Sequence, residues 1–444
     1  MTALPADRSI SAHRSRRGDT SQPAVTFASA GVPARLVAAL AESGIVAPFP
    51  IQAATLPDAL AGRDILGQGQ TGSGKTLGFS LPLAARLAGG FASAGRPRGL
   101  VLVPTRELAS QVQAVLAPLA HAAGLTVTAI FGGVPQHPQV TALRNRADIV
   151  IACPGRLTDL IGQGHCHLGD VEITVLDEAD HMADLGFLPA VRRLLEATPP
   201  GGQRMLFSAT LDHAVDVLVR RFMNHPARHT AGPAAAPPAI IHHLLTVAPA
   251  DRTGVVTALT SGRGRSLVFT RTRRRARQLA RQLTRAGTPA GELHGNLTQS
   301  ARERNLAAFA AGKARVMVAT DIAARGIHVD GIDLVIHADS PAEPKAYLHR
   351  AGRTARAGAT GTVITLQTPA QAGEVRTMMR KARVVPLAAT VTPQSALLRS
   401  ISGDPVLPVK PSAQSAPRPA PARNVQATGR GAAALSATFR GRRR

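Results

Sequence analysis

The stretch Gly69-Gln70-Thr71-Gly72-Ser73-Gly74-Lys75-Thr76 fits G-x-x-x-x-G-K-[ST] in full. It follows the short apolar run Asp64-Ile65-Leu66 and opens a helical pattern, the context in which such a loop cradles phosphate. Glycines let backbone N–H groups turn inward around phosphate oxygens, and a helix N-terminus adds a favourable dipole. Lys75 is placed to reach β- and γ-phosphates, and Thr76 to touch Mg²⁺. Roughly a hundred residues on, Val175-Leu176-Asp177-Glu178-Ala179-Asp180 sets three carboxylates within four residues. A solvated acidic loop would explain that run by itself. Beside a phosphate loop it reads instead as a metal-nucleotide site. Asp177 closes an apolar strand and suits the metal, and Glu178 is positioned to orient or deprotonate a water. Asp180 is expected to bond another motif rather than the metal.

These groups need a scaffold, and the chain supplies two. At 444 residues it exceeds a single core, and 44% hydrophobic content suits globular folding. From 25 to 229, Val/Ile/Leu runs alternate with helical patterns: 99–103, 148–151 and 173–176 read as strands of a parallel sheet covered on both faces. Residues 230–240 contain GPAAAPPA and read as a linker. The α/β pattern returns over 241–388, with strands at 266–269, 316–319 and 334–336 and a strongly basic helix from Arg271 to Ala286. Residues 1–24 and 389–444 lack the apolar content to fold and are expected to be disordered, the second with nine Lys+Arg against one Asp from 391 onward.

The balance of 52 Lys+Arg to 27 Asp+Glu, net +25, points to a polyanion such as nucleic acid rather than an acidic ligand. No uncharged apolar stretch is long enough for a membrane span, and the N-terminal residues lack the apolar core of a secretory signal. Two cysteines make no disulfide framework, so a reducing, cytoplasmic setting is expected. With aromatics at 3% and no Trp, base stacking is a poor candidate for the main binding mode.

From Phe27 to Gly361 the chain resembles the DEAD-box ATP-dependent RNA helicases, and its Ala and Arg usage suggests the bacterial type. The resemblance implies two tandem RecA-like parallel-sheet domains, ATP and Mg²⁺ as substrate and cofactor, and RNA as partner. Gly44 to Gln52 is similar to the adenine-reading motif, with Phe27 as its upstream aromatic and Gln52 bonding the base. Pro104-Thr105-Arg106 of PTRELA, the Gly132-Gly133 pair and Pro154-Gly155-Arg156 resemble RNA-backbone contacts. Ser208-Ala209-Thr210 resembles the segment coupling hydrolysis to strand separation. In the second domain, His294-Gly295 with Gln299 and Arg302 implies RNA contacts. Ala319-Thr320-Asp321 with Ala324-Arg325-Gly326 implies contacts to RNA and ATP. His349 to Arg356 resembles the arginine-finger motif, which assigns Arg353 and Arg356 to the γ-phosphate. Placing those arginines in a second domain makes hydrolysis depend on domain closure.

Four positions depart from the family pattern. Ile45 stands for an aromatic near adenine, Cys153 for a Thr, Ala355 for a Gly between the arginines, and His328 for an Asp at the ribose. The reading is an RNA-dependent ATPase that locally unwinds short duplexes or remodels RNA–protein complexes, expected as a monomer, with ribosomal or RNA-decay particles as its setting. An ATP-gated RNA clamp with little turnover and a DNA translocase are the competing readings.

Overall fold

The structure is a computed structural model that describes residues 25–69, 72–230, 240–324, 329, 331–355 and 360–403. Its strands fall into two sheets. The first holds β1 (Ile65–Gln68), β2 (Gly99–Leu102), β3 (Val127–Ile130), β4 (Ile149–Ala152), β5 (Ile173–Asp177), β6 (Gln203–Ser208) and β7 (Ala227–Thr230). The second holds β8 (Ile240–Thr246), β9 (Ser266–Phe269), β10 (Ala290–Leu293), β11 (Val316–Ala319), β12 (Leu334–His337), β13 (Gly361–Gln367) and β14 (Leu387–Thr390). The orders are β3-β4-β2-β5-β6-β1-β7 and β10-β11-β9-β12-β13-β8-β14, the same order twice. Every paired strand within them runs parallel.

The continuous apolar runs form central strands because both faces of each sheet are covered. Side chains alternate along β2 and the residue after it: Leu100 and Leu102 enter one core cluster, Val101 and Val103 the other. On one face pack helices Ala34–Glu42, Pro50–Leu60, Lys75–Leu87 and Arg106–Ala122. On the other pack Pro154–Gly162, Leu188–Glu196 and His213–Phe222. Among the described residues, no helix is long and apolar enough to cross a membrane.

The order has a consequence for function. Loops leaving the C-terminal ends of β3, β4 and β2 are neighbours, and so are those leaving β5, β6 and β1. Ligands of open α/β sheets bind outside those ends. One half of the edge thus gathers Gly132, Pro154 and Arg106, and the other gathers Asp177, Ser208 and the phosphate loop.

The second lobe does not end at residue 388. β14 pairs with β8, Ala388 opposite Leu244, and Val391 N–H donates to Thr246 O. Helix Ala396–Ser402 then seats Leu398 beside Val255, Val256 and Leu259. β14 occupies the position in its sheet that β7 holds in the first, which accounts for the extra strand. The Pro, Ala, Ser and Arg composition of the segment hid a few apolar residues, Val391, Leu397, Leu398 and Ile401, that suffice once a groove exists for them. Of the ends expected to be disordered, 1–24 and 389–444, and the linker expected at 230–240, residues 1–24, 404–444 and 231–239 lie outside the described residues.

Candidate nucleotide and nucleic-acid site

The phosphate loop leaves β1 beside β6, where Gly69 N–H donates to Ser208 O at 3.1 Å. Gly72 and Gly74 have φ of +90° and +88°, in the left-handed region that favours glycine. A Cβ on Gly74 would also lie 2.5 Å from Gln52 Nε2, so the tight approach of Gln52 requires glycine there. Helix Lys75–Leu87 starts directly after, with its first N–H groups at the loop. Lys75 is 5% exposed, its Nζ donating to Gly69 O at 2.7 Å and lying 3.4 Å from Glu178 Oε1. Ser73 Oγ is buried without a hydrogen-bond partner, a polar atom of the kind a bound phosphate would satisfy. Thr76 is half-buried on the first helical turn. Gln70 and Thr71 lie outside the described residues.

Gln52 is fully buried. Its Oε1 accepts from Phe49 N–H at 2.9 Å, and its Nε2 donates to Gly74 O at 2.8 Å. It is a strut between the base-reading segment and the phosphate loop, with one N–H and one lone pair left for a base. Phe27 does not offer its ring to a ligand. It is 2% exposed in the core with Leu36 and Leu56, so its part is packing. Phe49 stands 56% exposed beside Gly74 instead. Phe49 lies within the Gly44–Gln52 segment, and only tertiary placement shows which aromatic stays outside.

At the tip of β5 the acidic run folds into the site. Asp177 is buried, and burial pushes its carboxyl up to about 7, with Lys75 opposing and Glu178 reinforcing the rise. Glu178 has φ +54°, a strained left-handed conformation for a side-chain-bearing residue. Burial would raise its carboxyl too. Lys75, the His181 hydrogen bond and Arg353 overcome that and hold it well below the usual range. Glu178 therefore keeps the negative charge, and a cation at the strand tip would favour the ionised form of Asp177. No group of three or more His, Cys, Asp and Glu that could hold a metal gathers among the described residues.

Asp180 is bonded to the end of β6 and the segment that follows it. Its Oδ2 accepts from Thr210 N–H at 3.0 Å and Thr210 Oγ1 at 2.8 Å, and Asp180 N–H donates to Ser208 Oγ at 3.3 Å. Ser208 and Thr210 are thus tied to the acidic run.

The second lobe closes on this site. Arg353 is 5% exposed and close enough to lower the Glu178 carboxyl. Lys345 donates to Asp184 and Asp212 of the first lobe, both at 2.8 Å. The His181 and His349 rings meet edge to face at 5.0 Å. Ala355 carries φ +56°, which explains the glycine of the family pattern at that position. Arg325, Gly326, His328 and Arg356 lie outside the described residues.

On the other half of the edge, the residues expected to meet RNA come together in the first lobe. The Arg106 guanidinium lies against Gly133, whose φ is +77°, and a Cβ there would fall 2.1 Å from it. Arg156 donates to Val134 O from both terminal nitrogens at 3.3 Å. Thr105 caps helix Arg106–Ala122 by accepting from Leu108 N–H. Pro104 is buried, and Pro154, also buried, opens its helix at the first position. Arg106, Arg156 and the exposed Gly155 are the groups left for a phosphate chain.

Three second-lobe expectations change. Arg302 is 5% exposed and pairs with first-lobe Glu107, Nε to Oε1 at 2.6 Å, so it ties the lobes together rather than facing RNA. Asp321 holds Arg350 with two bonds of 2.5 and 2.7 Å and so braces the helix leading to Arg353. Gln299 is 7% exposed and donates to Glu303 Oε1. Thr320, half-buried after β11, remains open to a ligand.

Residues 49–218 match the family model described as DEAD/DEAH box helicase, and 251–358 match that of the helicase conserved C-terminal domain. The chain is 40% identical over 375 residues to DEAD-box ATP-dependent RNA helicase 3B, chloroplastic, of Zea mays. That match covers 82% of this chain and 50% of the relative, so the chain spans about half the length of the maize protein. It is 38% identical over 384 residues to DEAD-box ATP-dependent RNA helicase 5 of Oryza sativa subsp. japonica, covering 83% and 75%. Among solved structures, S. cerevisiae Dbp5 bound to RNA and ADP BeF3 is similar at TM-score 0.73 and 26% identity, covering 85% of this chain and 99% of that one.

Proposed function

This chain belongs to the DEAD-box ATP-dependent RNA helicases, and we propose that it is an RNA-dependent ATPase that locally unwinds short duplexes or remodels RNA–protein complexes. One observation carries the reading. Arg353 of the second lobe reaches the Glu178 and Lys75 site of the first, while Arg302 closes on Glu107, which adjoins Arg106. Closure that aligns the RNA-side residues thereby also completes the phosphate site, so hydrolysis depends on RNA.

Each residue has a part. Loop N–H groups, Ser73 and Lys75 bind the phosphates. Thr76 and Asp177 would hold Mg²⁺, which supplies charge neutralisation at the β- and γ-oxygens. Glu178 is ionised and orients the attacking water. Held this low it is a weak proton acceptor, but phosphate oxygens entering the loop compete for Lys75 and raise its basicity. Arg353 stabilises charge that develops on the γ-oxygens. Arg106 and Arg156 grip the RNA backbone, which carries little sequence information.

Ribosomal or RNA-decay particles, met by a monomer, are the setting we propose, since backbone recognition suits structured RNA. The free cysteines Cys153 and Cys166 support a reducing, cytoplasmic compartment. The bacterial origin suggested by composition is part of the proposal, beside relatives from plants and fungi. The test is phosphate release with Mg²⁺ and ATP, with no nucleic acid, with RNA and with DNA. RNA-stimulated turnover is expected. Stimulation by DNA alone would favour a translocase, and no turnover under any condition would leave only the clamp.

A further inference from the structure

Helix Arg273–Arg285 carries arginines at 274, 277, 281 and 285. Steps of three, four and four residues at about 100° each put all four on one stripe roughly 80° wide. The opposite face buries Ala276, Leu279, Ala280 and Leu283. All four arginines are exposed. Only Arg277 has a carboxylate in range, Glu292 at 3.7 Å, and among the described residues no ion pair forms at Arg274, Arg281 or Arg285. Like charges three and four residues apart repel and destabilise a helix unless something neutralises them.

Two further facts narrow the occupant. The stripe is about 16 Å long at 1.5 Å per residue, the length of about five phosphates of one strand at roughly 3.4 Å each. It also starts where β9 ends, beside the loop leaving β10, the edge equivalent to the one that gathers Arg106, Gly132 and Pro154 in the first lobe. Arg273, its neighbour, donates to Asn296 Oδ1 at 2.6 Å, in the His294–Asn296 loop. We propose that this arginine stripe is an added docking surface for RNA backbone, which extends the RNA path beyond the groove between the lobes. An acidic protein lacks the continuity with that loop, and so is the less favoured occupant.

The inference rests on the RNA-dependent reading above. The test uses the full chain and a variant with Arg274, Arg277, Arg281 and Arg285 all changed to Gln, a residue of similar helix propensity. Circular dichroism and thermal melting check its fold, and the matching Arg→Lys variant keeps the charge. RNA affinity is measured against salt with a short oligoribonucleotide and one about ten nucleotides longer. For the longer RNA, the Gln variant should bind at least about tenfold more weakly at 0.1 M salt. Its log–log salt slope should be shallower by up to about 3, from four phosphate contacts at roughly 0.7 each. The short RNA should bind as before, saturated ATPase should not change, and the Lys variant should bind both like wild type. An unchanged slope in a wild type that is RNA-stimulated would overturn the stripe alone. Absence of any RNA binding by wild type would sink both readings. Loss of polyglutamate binding with RNA binding intact would assign the surface to an acidic protein and overturn the proposal.

Discussion

The Arg302–Glu107 pair should decide whether the lobes close. Both side chains are 6% exposed, and the bond of 2.6 Å spans the two lobes. The remaining Arg302 donors reach His294 O and Ala323 O only at 3.4 Å each, so Glu107 is the main partner of that charge. At an effective dielectric of about 20, unit charges about 4 Å apart attract by roughly 4 kcal/mol. Desolvation offsets much of this in the intact pair, but truncating one partner strands the other charge and costs about 3–5 kcal/mol. Glu107→Ala and Arg302→Ala should therefore each shift closure by about 10²-fold or more. The double variant strands neither charge and should cost no more than one single variant, a coupling of about 3–5 kcal/mol. Closure is read by interlobe fluorescence energy transfer with RNA and a non-hydrolysable ATP analogue, and independently by the KM for RNA. Additive single effects, within about 0.5 kcal/mol, would refute the pairing. A salt slope of RNA binding reduced by about 1 in Arg302→Ala but not in Glu107→Ala would return Arg302 to RNA.

Glu178→Gln should keep ATP and RNA binding and lower hydrolysis by about 10²-fold, measured in single-turnover phosphate release; near-normal turnover would remove Glu178 from the chemistry. Burial lowers His349 to about 4, with His181, Asp180, Asp184 and Lys345 around it. Undocked, it takes up a proton near 6.5, so its contribution to closure is full above that pH and is lost as pH falls toward about 4, by as much as about 3 kcal/mol. A closed fraction that stays constant down to about pH 5 would contradict this. Ala355→Gly should raise the melting temperature, because relief of the left-handed strain at φ +56° is worth about 1–2 kcal/mol against a loss of up to about 1 from chain entropy. Cys153 begins helix Pro154–Gly162 without a side-chain cap bond, so Cys153→Thr should stabilise the protein by about 0.5–1 kcal/mol in denaturant unfolding.

The sequence by itself determined what depends on near neighbours along the chain. Gly72, Gly74, Lys75 and Thr76 act within one turn, where loop and helix N-terminus are contiguous. Asp177 and Glu178 sit at a strand tip because an apolar run precedes them. The strands of both lobes were legible since burial on two faces writes an uninterrupted apolar run. Tertiary structure alone decided which distant side chains meet. Arg302 finds Glu107 across 195 residues, and Thr210 finds Asp180 across 30. Such pairings follow from strand order and lobe closure, and no local spacing encodes either. The same holds for Phe27 in the core and Phe49 outside it, two phenylalanines alike in composition. It holds also for residues 389–403, whose few apolar side chains fold only because β8 leaves an edge and helix Arg252–Thr260 a groove to receive them.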